Sequence, residues 1–173
     1  ISVGHLYNLR KQRGYIDRRR SFTKTRPTGV AIGTRRAPVP DGWPGFIRID
    51  SVHQGDQDGI KGVYHISAVD CVTQWALIAT CEKISEAYLL PVIEALLGGF
   101  PFGILGFHAD NGSEYINRKV ARMLDKLAAE FTKSRPGHAN DNGLAETKNG
   151  AVIRKHLGYA HIPQYGAAEV NAW

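Results

Sequence analysis

The sequence has very little sulfur: two cysteines and one methionine among 173 residues. Cys71 and Cys81 form no CxxC pair, and no histidine pair stands at zinc spacing, so neither a disulfide framework nor a structural zinc site is indicated. That usage fits a reducing cytoplasm. Long apolar runs are missing as well. A membrane-spanning helix needs about 18 or more nearly uninterrupted apolar residues. The most apolar segment, Tyr88 to Leu97, is shorter and is broken by Pro91 and Glu94. No membrane span is expected, and Ile1 to Arg10 lack the apolar stretch of a signal peptide.

Acidic residues are scarce at one end only. Residues 1 to 37 hold ten Lys or Arg and a single acid, Asp17, whereas the rest holds twelve Lys or Arg and fifteen Asp or Glu. The net charge of +6 therefore divides into a basic arm of +9 and a body of −3. An arm of that sign suits a polyanion, because neutralising phosphates releases counterions. A solvated tail, or a membrane-surface or RNA contact, is the plainer alternative. Residues 11 to 44 are basic and then rich in Pro (Pro27, Pro38, Pro40, Pro44), which reads as a linker or extended arm. The chain is accordingly divided at residue 45, with the arm before it and one compact domain over 45–173.

From Gly45 the pattern is regular. Phe46 to Val52 alternates as a strand, with Ile47 and Ile49 on one face and Arg48 and Asp50 on the other. The turn GDQDGIKG places a hairpin partner at Val63 to Val69, and Thr73 to Cys81 makes a third strand. A helix is expected from Ser85 to about Leu97, kinked or limited by Pro91. A short strand follows at Ile104 to Phe107. Next come an amphipathic helix over Asn117 to Ala129, with Val120, Met123, Leu124 and Leu127 inward, a strand at Glu130 to Lys133, and a mobile-looking loop, SRPGHANDNG. A last helix spans about Leu144 to Leu157. Three antiparallel strands followed by two reached through helices predict an α/β fold with a mixed five-stranded sheet flanked by helices.

Three acids stand out by position. Asp50 lies inside a strand, where its short polar side chain competes with the ladder. Asp110 follows a parallel-type strand, and ligands bind at the carboxyl ends of such strands. Glu146 opens the last helix. Read singly, Asp110 is an ordinary turn residue and Glu146 an ordinary first-turn acid. Read together, Asp110 and Glu146 have 35 residues between them. This spacing, with the segments RIDSVHQGD, FHADNGSEYIN and ANDNGLAETKNGAVIRKH in that order, resembles the catalytic core of the DDE transposase and integrase superfamily. Within it, the transposases of bacterial insertion sequences look nearest and retroviral integrases more distant. The resemblance covers roughly residues 45 to 160.

The resemblance implies a ribonuclease H-like fold and a two-metal polynucleotidyl transferase that cleaves DNA strands and transfers them for a mobile element. It implies that Asp50, Asp110 and Glu146 are both catalytic residues and ligands of two Mg²⁺ or Mn²⁺ ions, with Asp50 bridging. The partners implied are DNA and a second copy of the chain, as a homodimer or larger homo-oligomer in a bacterial cytoplasm. DNA phosphates are expected on Arg18, Arg19, Arg20, Lys24 and Arg26, which position without reading sequence. Asn149 and Arg154 are further expected DNA contacts; Asn149, three residues after Glu146, alternatively orients that glutamate. Ile1 to Arg10 resembles the end of a helix-turn-helix unit. His53 and His108 flank the site and are read as structural hydrogen-bonding residues, since this chemistry needs no histidine. Two rivals share the features: a ribonuclease H-type nuclease, for which Glu86 or Glu94 would supply an acid on the first helix, and a DNA-binding relic without catalysis.

Overall fold

The computed structural model describes residues 2–12 and 31–172. Arg18, Arg19, Arg20, Lys24 and Arg26, the expected phosphate contacts of the arm, lie outside those residues. A short helix, α1 (Val3–Leu9), covers the segment read as a helix end.

The rest is built on one mixed sheet. Its strands are β1 (Thr34–Arg35), β2 (Phe46–His53), β5 (Tyr64–Asp70), β6 (Ala76–Cys81), β7 (Gly106–Ala109) and β8 (Glu130–Lys133). They lie in the order β1-β8-β7-β2-β5-β6. β2, β5 and β6 form the antiparallel meander, while β7 and β8 add in parallel on the other side of β2. Among the described residues the sheet thus has six strands rather than five. The extra one comes from the end of the basic arm, where Thr34 and Arg35 pair in parallel with Thr132 and Lys133. Side chains reinforce it: buried Lys133 donates through Nζ to the Ile32 carbonyl at 2.6 Å, and Arg36 pairs with Glu130. Inside the expected turn, β3 (Asp56–Gln57) and β4 (Ile60–Lys61) make a separate small ribbon around Asp58-Gly59. Both of those residues take positive φ, as an Asp-Gly hairpin turn requires.

β6 begins at Ala76 because the preceding residues are bound into a turn. Asp70 accepts from the backbone N–H of Gly45, Val72 and Thr73 and from the Thr73 hydroxyl, which draws Thr73 out of the ladder. Burial alone would raise the Asp70 pKa, but these hydrogen bonds hold it below the usual carboxylate value.

Helix α2 (Glu86–Gly98) runs through Pro91, and α3 (Arg118–Lys126) starts on Asn117, whose side chain accepts from the N–H of Lys119 and Val120. α3 ends earlier than expected, with Ala128 at positive φ, so Leu127 is exposed rather than in the core. Ile47, Ile49, Ile66 and Ala68 from the sheet, Leu89, Ile93, Leu96 and Leu97 from α2, and Val120 and Leu124 from α3 form the main core. The last helical stretch consists of α4 (Gly143–Lys148), a π-helical turn (Asn149–Arg154) and α5 (Lys155–Leu157), so the single regular helix expected there is widened from Asn149 onward. α6 (Ala167–Ala172) then packs beside β6, with Asn171 bonded to both backbone groups of Thr80.

Candidate active site

Register decides where the first two acids stand. β2 and β7 pair in parallel, with Phe46 opposite Gly106, Ile47 opposite Phe107 and Arg48 opposite His108. Continued two residues further, the same register sets Asp110 beside Asp50. Asp50 lies within its strand, flanked by Ser67 of β5 on the other side, whereas Asp110 is the first residue past the end of β7. Both are half-buried. The Asp110 carboxylate accepts from the N–H of Gly112 at 2.9 Å, which turns the chain away from the sheet.

Glu146 sits in the first turn of α4 with its side chain exposed. The approach of α4 to the sheet is fixed by amides on either side of it. Asn142 donates to the Ile49 carbonyl at 3.0 Å, and Asn149 donates through Nδ2 to Asp50 Oδ2 at 2.6 Å. Asn149 is itself buried, and its Oδ1 accepts from the Ser67 hydroxyl at 2.7 Å. It is turned to the sheet, and the carboxylate it reaches is Asp50 rather than Glu146.

Electrostatics tie the acids together. Burial pushes the Asp50 pKa up to about 6, and the negative charges of Asp110 and Glu146 push in the same direction, against hydrogen bonds from the Ser51 backbone and Asn149. Glu114, just beyond Asp110, is raised by its own burial and then by the charge of Asp110. Sequence reasoning missed Glu114 because the segment DNGSE reads as a plain turn. Tyr115 is fully buried, with its hydroxyl within reach of the charges of Asp50, Glu114 and Asp110. As placed, the acids do not close into a cage: among the described residues no set of three or more His, Cys, Asp or Glu side chains is gathered tightly enough to hold a metal ion. Exposed Glu146 bears on Asp50 through its charge.

The loop before α4 is pinned where mobility was expected. Arg135 grips Asp141 with two side-chain hydrogen bonds and adds a third from its backbone N–H. Those bonds hold the Asp141 carboxyl far below the usual range. Arg154, expected at DNA phosphate, is used differently. Its guanidinium donates to Gln54 Oε1 at 2.8 Å and to the carbonyls of Gly158 and His53, and it lies over the Tyr159 ring. These contacts clamp the end of β2 to the last helical stretch.

The two histidines serve structure. His108 is buried, with Nδ1 against Thr132 Oγ1 at 2.8 Å and Nε2 against Ser134 Oγ at 3.3 Å. Burial, then the Arg48 charge, lowers its pKa to about 4. His53 stacks on Tyr64 and contacts Asp56 at 3.2 Å.

No family model matches the chain. The uncharacterized protein y4rM of Sinorhizobium fredii is 28% identical over 145 residues, which is 79% of this chain and 41% of that protein. The chain therefore spans about two fifths of the length of the curated relative it matches. Among solved structures, the catalytic core domain of BIV integrase is similar over 72% of this chain and 78% of its own, with a TM-score of 0.51 and 13% identity. At that identity the likeness is one of fold: the chain has the ribonuclease H-like architecture of integrase cores.

Proposed function

We propose that the chain carries the catalytic core of a DDE-type transposase or integrase, a polynucleotidyl transferase that cuts DNA and joins the freed 3′ end to a target strand. The observation that carries the proposal is the alignment of Asp50 with Asp110 by strand register, with Glu146 adding its charge from α4. Asp50 resists ionisation chiefly because it is buried, and the charges of Asp110 and Glu146 add to that; carboxylate oxygens are hard donors, and a divalent cation would offset both effects. Asp50, Asp110 and Glu146 are the residues that would hold Mg²⁺ or Mn²⁺, two ions in the active complex. Bound there, such ions would supply an activated nucleophile and a stabilised leaving oxygen.

The chain's own contribution is placement. The sheet fixes Asp50 within β2 and brings Asp110 beside it directly after the end of the adjoining β7, and α4 is held to the sheet by Asn142 and Asn149. Glu146 is exposed in the first turn of α4, and its charge acts on Asp50. His108, with its depressed pKa, stays neutral at working pH and adds no competing cation beside the carboxylates. Of the rivals, a ribonuclease H-type nuclease would draw an acid from α2. Glu86 is instead paired with Lys119, and neither Glu86 nor Glu94 is among the charges acting on Asp50, which are those of Asp110 and Glu146. Association of two copies on DNA, with the arm on phosphates, and the division of the chain at residue 45 belong to the same proposal.

A plasmid-nicking and strand-joining assay with Mg²⁺ or Mn²⁺ tests it. Cleavage should require the cation and vanish in Asp50→Asn, Asp110→Asn and Glu146→Gln. Undiminished cutting in the Asp50 or Asp110 variant sinks the assignment. DNA binding with no response to either cation points to a binder without catalysis.

A further inference from the structure

Asn149 and Ser67 form a bridge that the proposed chemistry does not itself call for. The Ser67 hydroxyl donates to Asn149 Oδ1 at 2.7 Å, and Asn149 Nδ2 donates to Asp50 Oδ2 at 2.6 Å. Ser67 and Asn149 are both buried, and Ser67 is the direct cross-strand partner of Asp50 on β5. The three residues thus close a loop: two adjoining strands at its base and the last helical stretch above.

The chemistry of each group fixes the direction of the bridge. An ionised carboxylate only accepts, so the amide must show it the NH₂ end. The carbonyl end then faces β5, where a hydroxyl is the only group of the pair that can donate to it. With both ends engaged, the amide cannot flip, and it holds one Asp50 oxygen; the Ser51 backbone supplies the carboxylate's other hydrogen bond. The π-helical turn begins at Asn149 itself, and widened turns of this kind recur at functional sites.

We infer that Asn149, oriented by Ser67, is a positioning residue for Asp50: the bridge aims the carboxylate for a divalent cation and couples the placement of α4, and with it Glu146, to β2 and β5. This rests on the reading of Asp50 as a cation ligand. Groups that orient a metal-binding side chain commonly change affinity about 10- to 100-fold when removed.

The test is Mn²⁺ affinity by calorimetry on the whole chain without DNA, at a temperature where circular dichroism shows every variant folded. Asn149→Ala should weaken Mn²⁺ binding about 10- to 100-fold and Ser67→Ala by a smaller factor, with Ser67→Thr restoring wild-type affinity. Adding Ser67→Ala to Asn149→Ala should cost nothing more, because the serine acts through the amide. A purely structural bridge would lower the melting temperature and leave Mn²⁺ affinity within twofold, and that result overturns the inference while loss of binding in Asp50→Asn upholds the cation site. Additive effects of the two substitutions overturn it as well. Wild-type Mn²⁺ affinity in Asp50→Asn overturns both the cation site and this inference. Should Asn149→Ala fail to fold, the comparison of Ser67→Ala with Ser67→Thr decides by the same criteria.

Discussion

Arg135 and Asp141 close the loop ahead of Glu146 with two charge-assisted side-chain hydrogen bonds, at 2.9 and 2.8 Å. A third bond joins the Arg135 N–H to the same carboxylate at 3.0 Å, so a segment of glycine, proline and asparagine is tied at both ends. Asp141 is buried, whereas the arginine side chain is half-exposed. Asp141→Asn should free the loop: amide hydrogen exchange across residues 136–143 should accelerate while the sheet keeps its protection. The Asp141 carboxyl is depressed in the fold, so this tether is fully present above the ordinary Asp value of 3.8 and is lost only as pH falls through the lower folded value. Slow exchange of the same amides in the variant would show that the loop is held by something else.

Asp50 makes the opposite prediction. Its folded pKa of about 6 lies above its ordinary value of 3.8, so between those values the folded chain binds more protons than the unfolded chain. Metal-free stability should therefore fall as pH rises through that window and level off above it. Asp50→Asn removes the burial penalty of the charge and still accepts the Asn149 hydrogen bond. In EDTA at pH 7.5 the variant should be more stable by about 1–3 kcal/mol, and near pH 3.5 the two should converge. Urea unfolding at the two pH values reads this directly. A variant less stable than wild type at pH 7.5 would mean that Asp50 is not under electrostatic strain.

The buried histidines act with the other sign. His65, beside Thr80, and His108, between Thr132 and Ser134, are both held at a pKa of about 4, first by burial and then by the charges of Arg154 and Arg48 respectively. Below the ordinary histidine value of about 6.5, the unfolded chain takes up protons that the fold refuses, so these rings cost stability as pH falls from there toward 4. NMR titration should show neither ring protonating above pH 5. A midpoint near 6.5 for His108 would place its ring in contact with solvent.

The strand alternation around Asp50 and the placement of Asp110 after a buried strand are written in local sequence, because period-2 burial and turn residues are local signals. Cross-strand and helix-to-sheet partners are not. Asn149 reads as a helix-surface amide until Ser67, far back in the chain, is placed beneath it. Arg154 likewise reads as a free cation until Gln54 and the His53 carbonyl take up its donors. β1 escapes notice because two residues in a proline-rich stretch carry no periodicity; their strand exists only through the exposed edge of β8. The early start assigned to the third strand fails at Thr73, where Asp70 offers the backbone a side-chain partner that competes with the ladder.

The docking of Ile32 to Arg36 against β8 also changes how the basic arm should be tested. Removing residues 1–37 would strip β1 from the sheet and leave the buried Lys133 ammonium without its Ile32 carbonyl, so lost DNA binding could reflect a damaged fold. Cutting after residue 30 keeps both contacts. A gentler variant replaces Arg18, Arg19, Arg20, Lys24 and Arg26 with serine. If each of those side chains neutralises one duplex phosphate, the slope of log K against log salt should become shallower by about 4 to 5. Affinity should weaken alike for unrelated sequences, because phosphate contacts position without reading bases. Mn²⁺ affinity should stay at the wild-type value, since Asp50 lies within β2 and Asp110 directly after β7, away from the replaced residues in the sequence. Fluorescence anisotropy over a salt series, with sedimentation of the same samples, measures all but the cation term. An unchanged salt slope accompanied by loss of an oligomer would make the arm an assembly element, and the phosphate assignment for those five residues would fall.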